Sequence, residues 1–329
     1  MSDTLAPAPD QPKAAGRSAL RSLNFTPRFW VSIVLIVLVA LFAFVGDMLY
    51  PYGSNQRVGS LFDEPTPQHI LGTDNFGYDV VALLMASTRN SLYNGLLAGT
   101  IATFLGVFIG ILAGYIGGWF EEFLMGVTNI VLAIPAIVVL ILISVSIQGT
   151  NLQFLKGIIG MSLVIGFTSW PWTARSVRAQ ASSVATREHI DVAKLSGART
   201  FGILLRDVLP YLASYVVMAW VLQVASAILA ESTLSMLGLG PSGTASLGVE
   251  LHWALAFNAV ANRAWWAFLP PTAVLTIISF ALLYLQSSLD EVFNPRLRRG
   301  KKKNLAKAAE RRAEAARRLA AEIEAEVAP

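Results

Sequence analysis

Three histidines are the side chains best suited to acid–base or metal chemistry, and they lie far apart at His69, His189 and His252. None of them falls in an apolar stretch, which disfavours an intramembrane protease with a serine and a histidine facing each other inside the bilayer. The sequence also has no cysteine, no cluster of histidine and aspartate ligands, and no GxxxxGKS/T phosphate loop. We therefore predict no catalytic residue, no metal site and no cofactor on this chain.

The clearest carboxylate within an apolar stretch is Glu231, in the outer part of the run 211–238. An ionisable group inside a membrane is costly unless it faces a cavity or a hydrogen-bonding partner. Two roles therefore stay open for Glu231, a structural hydrogen bond or a position on a translocation pathway. An ion-coupled secondary transporter would use such a residue, so this class of function also stays open.

The segment 173–210 is polar but patterned, and it is much longer than a simple connector needs to be. The stretches 173–184 and 186–196 can both be helical, and Gly197 stands where a C′ glycine would end the second helix. A short helix with an apolar face outside the membrane can dock in a groove of another protein, or lie on the membrane interface. Its apolar residues are Ile190, Val192, Ala193 and Leu195.

Membrane-spanning helices must position these residues. Apolar residues make up 54% of the 329-residue chain and charged residues only 14%. Soluble domains are about one quarter charged, so this composition argues against a soluble enzyme, and its high hydrophobicity argues against a disordered chain. Six apolar runs predict an all-α polytopic membrane protein with about six transmembrane helices. The runs cover 29–50, 91–116, 123–148, 155–172, 211–238 and 264–288.

Two features predict how these spans pack and bend. Gly106, Gly110 and Gly114 recur every four residues on one face of the second span, where another helix can approach closely. That second helix could belong to this chain or to a partner. Pro135 in the third span predicts a kink, because proline cannot continue the helical hydrogen bonding.

The distribution of basic residues predicts the orientation of the spans. Twenty-one of the 25 lysines and arginines lie before the first span, within 173–210 or after the last span. The positive-inside rule then places both termini in the cytoplasm, which requires an even number of spans. The formal net charge of +4 arises from 296–329, where eleven basic and five acidic residues occur. This location reflects the topology and gives no support to nucleic-acid binding. Two roles for the tail stay open, a solvated segment or contact with anionic lipid or a peripheral subunit.

The chain is therefore organised in four regions. Residues 1–28 form a cytoplasmic N-terminal tail, and 29–88 contain the first span and an external loop. A core domain covers 89–298 and includes the cytoplasmic segment 173–210. The segment 299–329 is a charged tail rich in alanine, lysine, arginine and glutamate, a composition that favours a helix.

Several stretches carry a resemblance to a known family. The sequence EHIDVAKLSGA at 188–198, followed by ILLRDVLP at 203–210, resembles the EAA…G…LP loop of ABC-importer permeases. The sequence LGTDNFGYDV at 71–80 is similar to the LGTDxxGRDV element of the second permease subunit in peptide/nickel-type importers. The resemblance extends over roughly residues 25–298. Further similar stretches lie at 114–119, 230–240 and 294–298.

The resemblance implies a type I ABC importer permease fold in a bacterial or archaeal plasma membrane. The implied partners are a second, related permease, two ATPase subunits that hold ATP and Mg²⁺, and an extracytoplasmic substrate-binding protein. In that family the short helix of the loop couples the permease to an ATPase, and the permease itself catalyses no reaction. The coupling residues implied here are Glu188, Asp191, Ala193, Lys194, Gly197, Leu209 and Pro210.

Some positions depart from the family pattern. Asp191 stands where the family usually has glutamate, Val192 where it has an alanine, and Tyr78 where it has an arginine. Asp191 keeps the charge but shortens its reach, and Val192 adds bulk to the docking face. The stretches 245–254 and 264–271 look closer to the branch of the family tied to oligosaccharides. The resemblance thus implies import of oligopeptides or dipeptides, with oligosaccharides as the alternative.

Overall fold

The computed structural model describes residues 26–293, and the predicted charged tail 299–329 and most of the N-terminal tail lie outside the described residues. Helices dominate the described part, in which β pairing is limited to two isolated bridges. The helices are α1 Pro27–Leu49, α2 Val80–Ile116, α3 Gly118–Ala133, α4 Ala136–Gln148, α5 Gln153–Lys156, α6 Ile158–Ala185, α7 Glu188–Leu195, α8 Thr200–Leu239, α9 Leu247–Ala256 and α10 Trp265–Phe293.

Within residues 26–293, four helices are long and apolar enough to cross a membrane, namely α1, α2, α8 and α10. The pair α3 and α4 passes the same test together and forms a fifth candidate. Helix α6 occupies the place of the remaining predicted span; it is more polar, and much of its surface is buried against neighbouring helices. The protein is thus an all-α polytopic membrane protein with about six membrane helices, as the hydropathy pattern predicts.

The chain bends by 80° between α3 and α4, at Pro135. Ile134 has an extended backbone, with φ −92° and ψ 129°, which is the conformation that a following proline favours. Pro135 also lacks the N–H group that would continue the helical hydrogen bonding. The predicted kink is confirmed, and the third predicted span consists of two helices.

Helix α2 is the central helix of the fold. Its 37 residues give it a length of about 55 Å, and it packs mainly along α6 and, over a shorter stretch, along α8. Gly106, Gly110 and Gly114 face α6, and a Cβ added at each glycine would lie 2.5–2.6 Å from an atom of that helix. The glycine face therefore packs against a helix of the same chain, with the two backbones in close approach.

The connection from α1 to α2 is a folded loop held by side-chain hydrogen bonds. Asp79 is the N-cap of α2: its Oδ1 accepts two backbone N–H groups of the first turn, and its Oδ2 lies 2.7 Å from Nδ1 of His69. Asp74 closes a turn by accepting two backbone N–H groups at 2.8 Å each. Gly72 and Gly77 have φ of +64° and +80°, and a Cβ at either would lie 2.3 Å from a carbonyl oxygen. The LGTDNFGYD stretch is thus a rigid support for α2.

Residues Arg28–Leu289 form one compact unit, which contains every site described below. The remaining described residues are Thr26 and Pro27, at the start of α1, and 290–293, at the C-terminal end of α10. Because successive long helices alternate in direction, the connections 50–79, 149–157 and 240–264 gather at the end of the unit where α2 begins. Helix α7 lies at the other end, where α2 finishes.

Candidate functional site

Helix α7 ends in a Schellman motif centred on Gly197, which has φ +75°. The Gly197 N–H donates to the Lys194 carbonyl oxygen at 3.0 Å. The Ala198 N–H donates to the Ala193 carbonyl oxygen at 3.2 Å. The left-handed conformation at Gly197 costs little for glycine and more for any residue with a Cβ. The structure therefore places this glycine at the C′ position of the short helix.

One face of α7 is anchored in the protein and another exposes large apolar side chains. Ile190 is fully buried in a cluster formed with residues of α2, α6 and α8, and Ala193 packs partly buried against that cluster. Val192 and Leu195, three residues apart, are 61% and 88% exposed. The sequence groups these four residues as one apolar face, whereas the structure separates an anchor from an exposed pair. Such an exposed pair on a firmly held helix is suited to contact with another protein.

Charged side chains at α7 lie over aromatic rings of the long helices. The Lys194 Nζ is 5.5 Å from the centre of the Tyr115 ring in α2. The Arg187 guanidinium is 5.3 Å from the centre of the Tyr211 ring in α8, and the His189 ring packs on the same tyrosine with 4.7 Å between ring centres. These cation–π and ring contacts tie α7 directly to two membrane helices.

The other predicted coupling residues surround the same surface. Glu188 and Asp191 are exposed in the first turn of α7, where carboxylates interact favourably with the helix dipole. The Lys194 Nζ lies 3.6 Å from Asp191 Oδ1. Leu209 packs against the buried cluster under α7, while Pro210 is exposed beside it on α8. The structure thus brings all the predicted coupling residues to one end of the unit.

Glu231 is fully buried and accepts hydrogen bonds from four serine hydroxyl groups. Ser235 and Ser246 each donate to its Oε1 at 2.6 Å. Ser91 and Ser232 donate to its Oε2 at 3.3 and 3.5 Å. The cost of burying a carboxylate is therefore offset by hydrogen bonds on both oxygens.

The Glu231 network connects three helices. Ser91 belongs to α2 and accepts the Leu247 N–H at 3.1 Å, while Ser246 is the N-cap of α9 and accepts the Val249 N–H at 3.3 Å. Glu231 itself belongs to α8, so its carboxylate joins α2, α8 and the start of α9. The structure shows the hydrogen bonds that a structural role of Glu231 requires. A position of Glu231 on a translocation pathway stays a prediction.

A cavity of about 630 Å³ lies at the end of the unit opposite to α7. Its walls come from the loop before α2, from α5, from the end of α8 and from α9. A cavity of this size is within the usual range for small-ligand sites, which is about 300–1,000 Å³. The polar and aromatic side chains in its walls include Asn55, Asp74, Asn75, Lys156, Glu250 and Trp253.

Two acidic side chains in the cavity wall are largely buried. Burial raises the pKa of the Glu250 carboxyl to about 8; the nearby Ser87 hydroxyl opposes this rise, and the negative charge of Asp74 adds to it. Burial also raises the pKa of Asp74, while the backbone N–H groups of Tyr78 and Phe76 that it accepts oppose this rise. Both carboxyls therefore hold a proton more tightly than an exposed carboxyl does.

Comparison with known proteins places this architecture in a family. The pattern of the binding-protein-dependent transport system inner membrane component matches residues 106–299, more than half of the chain. This region includes the glycine face, α7 and Glu231. The chain belongs to this family of inner-membrane transport components.

Relatives of this transport component align with most of its length. It is 31% identical over 271 residues to the oligopeptide transport system permease protein OppC of Lactococcus lactis subsp. cremoris, covering 81% of this chain and 90% of the relative. It is 30% identical over 292 residues to the dipeptide transport system permease protein DppC of Bacillus subtilis, covering 84% and 88%. A putative peptide transport system permease protein of Brucella suis is 32% identical over 298 residues, covering 88% and 95%.

Sequence reasoning missed the partners of the buried polar groups in this transport component. Ser91 and Ser246 lie 140 and 15 residues from Glu231 in the sequence, and no helical spacing links them to it. Ser246 carried a usable signal, because serine before a helix is a favoured N-cap. Asp74 and Glu250 occur in two distant stretches of the sequence, and nothing in the sequence indicates that they share a cavity.

Proposed function

We propose that this chain is a permease subunit of an ATP-driven ABC importer that moves oligopeptides or dipeptides delivered by an external binding protein. Membership of a binding-protein-dependent transport family supports the delivery step. The names of the relatives, which are oligopeptide, dipeptide and putative peptide permeases, support the substrate class. In this proposal ATP and Mg²⁺ bind to partner subunits, and the permease contributes the membrane path.

The observation that carries this proposal is the construction of α7. A short helix with a fixed Schellman end presents Val192 and Leu195 outside the long apolar helices, and it is anchored from below by Ile190. This arrangement suits docking into a groove of a partner, with apolar contacts at the centre and Glu188 and Asp191 at the edge. We assign that groove to an ATPase subunit.

The charge distribution supports the orientation of the proposed assembly. The positive-inside rule places α7 and both termini on the cytoplasmic side, so the 630 Å³ cavity opens toward the outside of a bacterial or archaeal plasma membrane. In this proposal the assembly also contains a second, related permease. Two ATPase subunits bind the two permeases on the cytoplasmic side, and the binding protein docks on the outer side, where the cavity opens.

Transport in this proposal proceeds by alternating access. Closure of the ATPase subunits on ATP moves α7, and α7 transmits the motion to α2 through Lys194 over Tyr115 and to α8 through Arg187 over Tyr211. Helices α2 and α6 move together, because their glycine-lined contact leaves no space for independent sliding. ATP thereby shifts the population between an inward-open and an outward-open packing.

Purification of the tagged chain from its native membrane tests the assembly. We expect stoichiometric recovery of a related permease and an ATPase, and ATP-dependent uptake of a short peptide when the complex and its binding protein are reconstituted in proteoliposomes. Recovery of the chain without an ATPase, combined with uptake driven by a pH gradient alone, would establish an ion-coupled secondary transporter instead. Uptake of oligosaccharides and no uptake of peptides would reassign the substrate within the same family.

A further inference from the structure

Two buried polar atoms in the wall of the cavity lack a hydrogen-bond partner among the described residues. They are Oε1 of Glu250 and Nδ2 of Asn75. The two residues are only 7% and 4% exposed, so bulk water does not readily satisfy these atoms. Buried polar groups in proteins are nearly always paired. The Ser87 hydroxyl lies near the Glu250 carboxyl and acts to lower its pKa, yet Ser87 Oγ also makes no hydrogen bond among the described residues. An unpaired acceptor and an unpaired amide donor in the wall of one cavity therefore leave room for a polar ligand.

We infer that this cavity binds the ammonium terminus of a peptide, with Glu250 Oε1 accepting from the ammonium group and Asn75 Nδ2 donating to a peptide carbonyl oxygen. Asp74, in the same wall, adds negative charge near the ammonium group. This inference deepens the proposed function and rests on it, because it takes a peptide as the substrate. The cavity is then an entry site where a peptide waits after release from the binding protein.

The composition of the cavity favours an ammonium group over other ligands. The two carboxyl groups offer acceptor oxygens to an ammonium group once Glu250 releases its proton, and among the described residues no group of three histidine, aspartate or glutamate side chains could hold a metal ion. An ammonium group has three donors and no acceptor, which matches acceptor-only carboxylates. Lys156, which also lines the cavity, can meet the carboxylate at the other end of a short peptide. The volume of about 630 Å³ accommodates a ligand of two or three residues.

Binding of an ammonium group to this site should release a proton from Glu250, and this release can be measured. Burial raises the pKa of empty Glu250 to about 8, so this carboxyl is mostly protonated at pH 7. An ammonium group favours the carboxylate, so one ammonium enters and nearly one proton leaves to the buffer. The other titratable side chains that line the cavity are Asp74, Tyr78, Lys156 and His252.

The test uses the complete importer in lipid nanodiscs, without its binding protein, titrated calorimetrically with trialanine and with N-acetyltrialanine. We expect trialanine to bind about tenfold more tightly than the acetylated peptide, with proton release at pH 7 detected from buffers of different ionisation enthalpy. Glu250→Gln should weaken trialanine binding about tenfold and abolish most of the proton release, with no effect on the acetylated peptide. Glu64→Gln, at an exposed glutamate in the connection 50–79 on the same side of the protein, is the control.

Equal affinity for the two peptides, or trialanine binding to the wild-type complex without proton release, would overturn the inference even if Glu250→Gln does not assemble. Asn75→Ala gives a second variant, for which we expect weaker binding of both peptides.

Uptake of trialanine by the same complexes with the binding protein separates the two proposals. If the complex takes up trialanine normally with ATP but binds trialanine and N-acetyltrialanine equally well, the ammonium site is refuted and the proposed function stands. If it binds trialanine more tightly than the acetylated peptide but does not take it up, the ammonium site is supported and peptide import is refuted.

Discussion

At the scale of single residues, Gly197 is constrained by its backbone and not by space. Its φ is +75°, and no atom lies within 4 Å of the position that a Cβ would occupy. We expect Gly197→Val to cost about 1–2 kcal/mol locally, because a β-branched side chain disfavours the left-handed conformation, and to loosen the end of α7. Copurification of the ATPase and peptide uptake should both fall.

Two control variants show whether the effect of Gly197→Val comes from strain in the left-handed backbone or merely from replacing a glycine in this segment. Gly197→Asn should retain most of the uptake, since asparagine tolerates the left-handed region better than other residues. Gly202→Ala should also be neutral, because Gly202 lies nearby with an ordinary φ and open space around it. Full ATPase association and uptake in Gly197→Val would show that docking does not depend on the shape of α7.

Four serine hydroxyl groups donate hydrogen bonds to the buried Glu231 carboxylate. Substitutions of Glu231 therefore test whether these hydrogen bonds stabilise the fold. We expect Glu231→Ala to lower the free energy of unfolding by about 2–3 kcal/mol, because buried hydroxyls lose their acceptor. Glu231→Gln keeps one acceptor oxygen and should cost about 1 kcal/mol. Thermal unfolding in detergent measures both, with exposed Thr233→Ala on the same helix as the control. Loss of uptake in Glu231→Gln at unchanged stability would place Glu231 on the translocation pathway.

At the scale of helices, the contact between α2 and α6 depends on the absence of side chains at three positions. A Cβ at Gly110 would lie 2.6 Å from the carbonyl oxygen of Ala174, so the helices would have to separate. We expect Gly110→Val to destabilise the chain by about 1–3 kcal/mol or more and to lower its yield in the membrane. Gly126→Val in α3 is the matched control, since nothing lies within 4 Å of a Cβ there. Equal thermal midpoints for the two variants would contradict the tight α2–α6 packing.

The boundaries of the helices show which local signals were sufficient. Pro135 and the extended Ile134 place the bend of the third span where the sequence predicts it. Helix α7 covers Glu188–Leu195, close to the predicted 186–196, because a C′ glycine is a local stop signal. Helix α6 extends well past its apolar run, since burial against α2 supports a helix that lipid alone would not define. Hydropathy therefore located the span, and the predicted helical stretch 173–184 continues it as one helix.

At the scale of the whole molecule, burial of Glu250 links stability to pH. Its pKa is about 8 in the folded protein and 4.5 in an exposed chain. Between these values the folded state holds a proton that the unfolded state has released, so stability falls as pH rises through this window and levels off above it. We expect the thermal midpoint in detergent to be several degrees lower at pH 9 than at pH 5.

Variants at Glu250 identify the source of this pH dependence. Glu250→Gln should remove most of the decline between pH 5 and pH 9, because glutamine does not titrate. Glu64→Gln should leave the decline unchanged, since Glu64 is exposed. The remaining slope in Glu250→Gln should have the same sign, because burial also raises the pKa of Asp74. An unchanged slope in Glu250→Gln would assign the pH dependence to other groups.

The amino-acid sequence by itself determined the membrane class, the approximate number of spans, the bend at Pro135 and the position of the short helix α7. Each of these depends on composition over one window or on a local backbone preference, such as that of Gly197, and such properties do not require distant residues. The tertiary structure alone decided that α6 covers the glycine face, that serines from α2 and α9 satisfy Glu231, and that Asp74, Asn75 and Glu250 share one cavity. These contacts join residues of different elements, and only the packing of the helices brings them together.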